Sequence, residues 1–282
     1  MLRRPRTLST VTSRFAVLGS PITHSKSPAL HRAAISALGI DAEYASHDVH
    51  EGELRSFLAT RTDDEIGFSL TMPLKHAVRE LVVDECADST LAGAVNTIVR
   101  GTSGWHGFNT DVWGAQTAIA QSIGTHSRSA IVLGGGATAS SLTVALARIG
   151  VEHVTVALRD VSKAGALRSL AVRLGLGIDV VQLNGASLQA DLLVNTLPGN
   201  VQLDASAIDD LDAGALFDVS YDPWPNALSR EWTARGLPSS SGLLMLLWQA
   251  VRQARVFYGD GIDEPLPNEG VVITAMRSAV GL

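Results

Sequence analysis

The chain has 282 residues, 46% of them apolar, which is enough for two domains with a sizeable core and argues against disorder over most of its length. A net charge of −6 speaks against a non-specific nucleic-acid surface, which rests on clustered Lys and Arg, so the expected partner is a small molecule. The one cysteine, Cys86, cannot form an internal disulfide, which fits a reducing, cytoplasmic setting.

Taken in chain order, the opening segment carries Arg3, Arg4, Arg6 and Arg14, with no acidic residue before Asp41. Arg and Thr interrupt any apolar signal core there, so it reads as a basic start and not as a secretory signal. Runs of β-branched and aromatic residues predict strands over 15–19, 43–49, 66–71 and 95–99. Between the first two, a helix is predicted over Ser27–Leu38, with Leu30, Ala33, Ala34, Ala37 and Leu38 on one face, Ser27 as a cap and Pro28 in the first turn. His47 and His50 are three apart in and just past the strand predicted over 43–49, where continued extended chain would turn them to opposite sides, so no metal site is expected from them.

From Ser129 onward, continuous apolar strands alternate with helices: strand AIVLG, a helix over 140–149, strand HVTVALR, a helix over 162–174, then strands DVVQL, LLVNTL and ALFDVSY. That alternation predicts a parallel sheet covered on both faces, hence a Rossmann-like, doubly wound domain. After Gly242 the segment LLMLLWQAVRQARVF is helical in pattern; its apolar stretch around Leu243 to Trp248 is too short to cross a bilayer, and Leu243, Leu246 and Leu247 read as core.

A glycine-rich turn, VLGGGATAS at 132–140, stands between strand AIVLG and the next helix. Gly134 allows the tight turn, Gly136 lets backbone approach a pyrophosphate, and the small Ala139 permits close packing of helix on strand. Gly135, Ala137 and Thr138 complete the turn at a helix N-terminus, which favours anions. The following strand ends in ALRDVSK, where Arg159 and Lys163 suit the extra phosphate of NADP and Asp160 suits the ribose of NAD. NADP is the expected cofactor, with NAD as the alternative.

Four further segments end near strand termini: HSKSP at 24–28, GFSLTMPLK at 67–75, AVNT at 94–97 and GFNTD at 107–111. They gather hydroxyl, amide, ammonium and carboxylate groups, a set suited to a polyhydroxylated ring. Lys75 and Asp111 form a possible proton-transfer pair, an ammonium held against a carboxylate.

In combination with the glycine-rich turn, these segments resemble shikimate dehydrogenase, over most of the chain. The resemblance implies an α/β fold of two lobes: an N-terminal substrate-binding, catalytic domain over 1–112, a Rossmann-like NADP-binding domain over 113–241, and C-terminal helices over 242–282 that pack on the first lobe. The ligand cleft is expected between the lobes. By the same likeness Ser25 and Ser27 bind a substrate carboxylate with Tyr221 in the same neighbourhood, while Thr71 and Asn96 contact the ring and Gln249 matches a substrate-amide position. Thr196, Val219 and Gly242 match positions near nicotinamide. Where Ser69 stands the family usually has Asn, which implies a shortened or lost contact there.

The activity so implied is the reversible NADPH-dependent reduction of 3-dehydroshikimate to shikimate, in aromatic amino acid biosynthesis, by a monomer or homodimer. The alternatives are an NAD-dependent quinate/shikimate dehydrogenase, which Asp160 would suit, and a ligand sensor of the same fold without turnover.

Overall fold

The computed structural model describes residues 12–183, 187–199, 201 and 203–282. The chain forms two compact units, one of Met1–Thr110 with Leu246–Leu282 and one of Asp111–Met245.

The first unit contains β1 (Ser13–Gly19), α1 (Ser27–Leu38), β2 (Ala42–Asp48), α2 (Leu54–Ala59), β3 (Glu65–Leu70), α3 (Leu74–Ala77), β4 (Val82–Glu85), α4 (Ala87–Ala92), β5 (Thr97–Gly101) and β6 (Gly104–Phe108). Its strand order is β2-β1-β3-β5-β6-β4. Strand β1 runs parallel to β2 and β3, whereas β5 is antiparallel to both β3 and β6. The period of two along β1 is visible in the packing. Phe15 and Val17 join one apolar cluster with Phe257, and Ala16 and Leu18 join another with Phe68 and Leu70, so the strand is covered on both faces.

From Leu246 onward the chain belongs to this same unit. The second unit contains α5 (Asp111–Ser122), β7 (Ser129–Leu133), α6 (Ala137–Arg148), β8 (His153–Leu158), α7 (Gly165–Leu174), β9 (Gly177–Gln182), β10 (Leu188–Asn195), α8 (Ala205–Asp209), β11 (Leu211–Asp218), α9 (Ala227–Ala234) and β12 (Ser239–Ser241). Helix α10 (Leu243–Tyr258) then leads into the first unit, where α11 (Glu269–Val280) follows. Leu247, Ala250, Val251 and Ala254 of α10, Val272 and Met276 of α11 and Leu30 and Ala34 of α1 form one buried cluster. Gly67 of β3 makes room for α10: a Cβ there would lie 2.8 Å from the Phe257 ring.

In the second unit all strands are parallel, in the order β12-β11-β10-β7-β8-β9. The chain winds one way from β7 and the other way from β10, which is the doubly wound arrangement, with its switch point between those two strands. Ala130, Ile131, Val132 and Leu133 of β7 are all buried, as a central strand sandwiched by helices requires.

Several sequence expectations are corrected. Ser27 does not cap α1: the helix already includes it, and its N–H donates to Ser25 Oγ at 3.3 Å. His50 is not in a strand with His47, because β2 ends at Asp48 and His50 precedes the 3-10 turn Glu51–Glu53, donating its backbone N–H to Glu53 Oε2. The strands expected to reach Leu197 and Tyr221 stop at Asn195 and Asp218. In each, the terminal side chain accepts a backbone N–H two residues on, from Leu197 and Ser220, and so turns the chain out of the sheet. The strand placed over 95–99 begins at Thr97, and helix α6 starts at Ala137, ahead of the expected Ser140.

Candidate active site

In the first unit, the sheet directions collect the polar segments on one edge. Strands β1 and β3 are parallel and end at Gly19 and Leu70; β5 is antiparallel and begins at Thr97; β6 reverses again and ends at Phe108. The register joins these ends, since Val17 pairs with Ser69, Ser69 with Thr97, and Thr97 with Phe108. Ser25 and Ser27 follow β1, Thr71 and Lys75 follow β3, Asn96 precedes β5 and Thr110 follows β6.

Backbone bonds lock these segments together. Thr71 N–H donates to Leu18 O at 2.9 Å, Val95 N–H to Lys75 O at 2.9 Å and Asn96 N–H to Phe108 O at 3.0 Å. Gly19 is required by the approach of the loop after β3, because a Cβ there would lie 2.3 Å from Thr71 Cγ2 and 2.9 Å from Met72 O. Lys75 thus sits on α3 with its carbonyl tied to the Asn96 segment.

Asn96 is buried and its amide orientation is fixed. Its Oδ1 accepts from Thr97 Oγ1 and from Thr110 N–H, each at 2.9 Å, while its Nδ2 donates to Thr110 Oγ1 at 2.9 Å. Asp111 follows Thr110 directly, is buried, and opens α5, where a carboxylate in the first turn complements the helix dipole. By the division of the chain, Lys75 belongs to the first unit and Asp111 is the first residue of the second.

Ser69 does not present its hydroxyl to a ligand. Tyr44 Oη donates to it at 2.7 Å, and it donates in turn to Gln253 Oε1 at 2.9 Å. His31 lies against the same group, its ring stacked on Tyr44 at 4.2 Å, with Nε2 3.2 Å from Gln253 Oε1 and Nδ1 3.1 Å from Tyr258 Oη. Burial lowers the His31 pKa to about 4, the Gln253 hydrogen bond opposing it. Burial pushes the Tyr44 and Tyr258 phenols up. Gln249, one turn before Gln253 on α10, is buried and donates Nε2–H to Leu246 O at 2.8 Å.

In the second unit, the glycine-rich turn separates into positions the protein needs and a position it does not. Gly134 has φ +102°, and a Cβ on it would lie 2.6 Å from Thr196 Oγ1, which is itself bonded to Leu133 O at 2.7 Å. A Cβ on Gly135 would lie 2.8 Å from Leu158 Cδ2. Gly136 precedes α6 with φ −85°, and no atom lies within 4 Å of where its Cβ would be. Neither packing nor conformation demands glycine there, so bare backbone faces open space at a helix start, as a pyrophosphate needs. Ala137 and Thr138 are the first residues of that helix, and Ala139 is fully buried.

Thr196, Val219 and Gly242 gather beyond the ends of β10, β11 and β12. Val219 N–H donates to Asn195 O at 3.0 Å, and Gly242 packs so closely on Val219 that a Cβ would meet its carbonyl oxygen at 2.0 Å. Past β8, Arg159 and Lys163 are exposed. Asp160 between them caps the 3-10 turn Val161–Ala164: its Oδ1 accepts from Ser162 N–H at 3.0 Å and Ser162 Oγ at 2.6 Å, and these bonds, with Lys163 nearby, hold its carboxyl below the usual range. Tyr221 lies in this unit too, beyond β11.

The structure therefore brings Ser25, Ser27, Thr71, Lys75 and Asn96 to one edge of the first sheet, and Gly134, Gly136, Thr196, Val219 and Gly242 to the strand ends of the second. Sequence reasoning assigned nothing to Thr97, Thr110, His31, Tyr44 or Gln253. The signal for the last was Gln249 and Gln253 one helical turn apart on an otherwise apolar face.

Comparison with known proteins identifies the family of the chain. Residues 17–98 match the family model described as the shikimate dehydrogenase substrate binding domain. A curated shikimate dehydrogenase (NADP(+)) of Sphingopyxis alaskensis is 34% identical over 261 residues, which is 89% of this chain and 94% of the relative. The crystal structure of Mycobacterium tuberculosis shikimate dehydrogenase superposes with a TM-score of 0.83 at 34% identity, covering 94% of this chain and 99% of that one. A Thermus thermophilus shikimate 5-dehydrogenase in complex with NADP(H) and shikimate does so with a TM-score of 0.75 at 33% identity, covering 95% and 99%. With one third of its residues shared along nearly the full length of these proteins, and with their two-sheet architecture, the chain belongs to the shikimate dehydrogenase family.

Proposed function

We propose that the chain catalyses the reversible reduction of 3-dehydroshikimate to shikimate with NADPH, a step of chorismate and aromatic amino acid biosynthesis. Family membership carries this reading: the relatives are shikimate dehydrogenases named for NADP(+), one of them solved with NADP(H) and shikimate. The polar edge of the first sheet and the open backbone at Gly136 support it.

The first unit binds the substrate and the second the cofactor. NADPH, when bound, supplies the hydride. Ser25 and Ser27 hold the substrate carboxylate, and Thr71, Asn96 and Gln249 take the ring hydroxyls. Lys75 donates a proton to the oxygen that becomes a hydroxyl as the carbonyl is reduced, with Asp111 as the carboxylate that orients the ammonium; in the reverse direction the neutral amine accepts that proton. Gly134 to Thr138 receive the pyrophosphate, Arg159 and Lys163 the additional phosphate of NADP, and Thr196, Val219 and Gly242 border the nicotinamide.

Asp160 has a structural role in capping the turn after β8, its Oδ1 accepting from Ser162, so its presence there does not by itself call for NAD. We place the enzyme in the cytoplasm, as a monomer or homodimer; among the described residues no helix is long and apolar enough to cross a membrane. Initial rates with shikimate and quinate, each paired with NADP and NAD, test the reading. Fastest turnover is expected for shikimate with NADP. A strong preference for quinate with NAD, or ligand binding without turnover, would overturn it.

A further inference from the structure

Gln253 stands on α10, in the segment that returns to the first unit, yet its side chain touches groups from three other elements, β3, α1 and β5, and the loop before β5. Its Oε1 accepts from Ser69 of β3 and faces Nε2 of His31 on α1; Ser69 in turn accepts from Tyr44 of β2. Its Nε2 donates to Thr97 Oγ1 of β5 at 2.9 Å and to Asn96 O at 3.2 Å. Gln253 is 1% exposed, and Asn96 and Thr97 are buried as completely.

The donors and acceptors allow one consistent assignment. Thr97 Oγ1 receives the Gln253 N–H, so its own hydrogen is directed to Asn96 Oδ1, 2.9 Å away. Asn96 must then turn its carbonyl oxygen toward Thr97 and the Thr110 N–H, and its amide nitrogen toward Thr110 Oγ1. Reversing the Asn96 amide would set N–H against N–H at Thr110. A buried network with every member satisfied admits one arrangement, and a half-satisfied one does not.

We propose that Gln253 is a positioning residue for substrate binding, acting through the Thr97 hydroxyl to hold the Asn96 side chain in the orientation that meets the ring hydroxyls. This deepens the functional reading above and rests on its assignment of Asn96 to the substrate. Gln253 itself touches no reacting atom, and it stands one turn from Gln249 on the same helix face.

Steady-state kinetics on the full chain test it. Gln253→Met, which keeps length and removes the amide, is expected to raise KM for shikimate roughly tenfold, with a smaller change in kcat and an unchanged KM for NADP, since misplacing a binding group acts on the ligand it meets. Thr97→Val leaves Gln253 in place and interrupts the relay, so it gives the same shift; Thr97→Ser keeps the hydroxyl and restores the parental value. The double variant Gln253→Met with Thr97→Val is no worse than either alone, the mark of two residues acting in series. Where Gln253→Met fails to fold, the Thr97 pair decides. Lowered thermal stability with a parental KM for shikimate in these variants would reduce Gln253 to a core residue and overturn the inference. Asn96→Ala separates the two levels: if it raises KM for shikimate while the Gln253 and Thr97 variants do not, the inference alone fails; if it leaves KM unchanged, the assignment of Asn96 fails and takes the inference with it.

Discussion

The Ser69 hydroxyl donates to Gln253 Oε1 at 2.9 Å while accepting from Tyr44 Oη at 2.7 Å, so that both roles of the hydroxyl are used inside the protein. A serine at this position therefore serves the buried network and not ring selectivity. Ser69→Ala would leave the buried Tyr44 phenol without its acceptor, and a loss of roughly 1–3 kcal/mol in unfolding free energy is expected. Denaturant titration reads it directly. An unchanged midpoint and slope would show that Tyr44 finds another partner.

His31 ties stability to pH. Its pKa falls from 6.5 to about 4 on burial, so between those values the unfolded chain binds a proton that the folded one does not. Stability from this group is complete above about pH 6.5 and is lost as pH falls toward 4, by about 3 kcal/mol. The difference between the stability profiles of the parent and of His31→Phe isolates the effect. Parallel profiles across that window would exclude it.

The two outer glycines of the turn should respond differently. Gly134→Ala forces a side chain into φ +102° and against Thr196 Oγ1, with an expected loss of about 1–3 kcal/mol in stability. Gly136→Ala meets no protein atom within 4 Å, so stability changes by less than about 1 kcal/mol while KM for NADP rises. Equal stability losses, or an unaltered KM for NADP in Gly136→Ala, would remove the pyrophosphate from this turn.

Arg159 is assigned to the phosphate that distinguishes NADP from NAD. Arg159→Ala is expected to raise KM for NADP by roughly 10- to 100-fold, the worth of a charge-assisted hydrogen bond, and to leave kcat/KM for NAD near its parental value. A similar loss with both cofactors would place the arginine elsewhere in the mechanism.

How legible the molecule is in its sequence varies with the source of each element. The second sheet reads almost strand by strand, because strands such as AIVLG are apolar throughout and alternate with helices. Helix α1 is found at its full extent from apolar periodicity. Strand β6 is missed: GWHGF contains two glycines, and its place is set by pairing with β5 and β4. Helix α5 is missed too, since Gly114 interrupts its pattern and its opening residue, Asp111, reads as the carboxylate partner of Lys75. Among site residues, those in contiguous segments were visible, whereas the links from Gln253 to Thr97 and Ser69 span 156 and 184 positions and leave no local trace.

The central claim is that Lys75 hands a proton to the substrate oxygen, and Lys75→Met tests it most directly. The purified variant, shown to unfold at the parental temperature and to bind NADP with the parental affinity, is expected to oxidise shikimate with kcat reduced roughly 100- to 10,000-fold. A kcat equal to that of the parent would contradict the account.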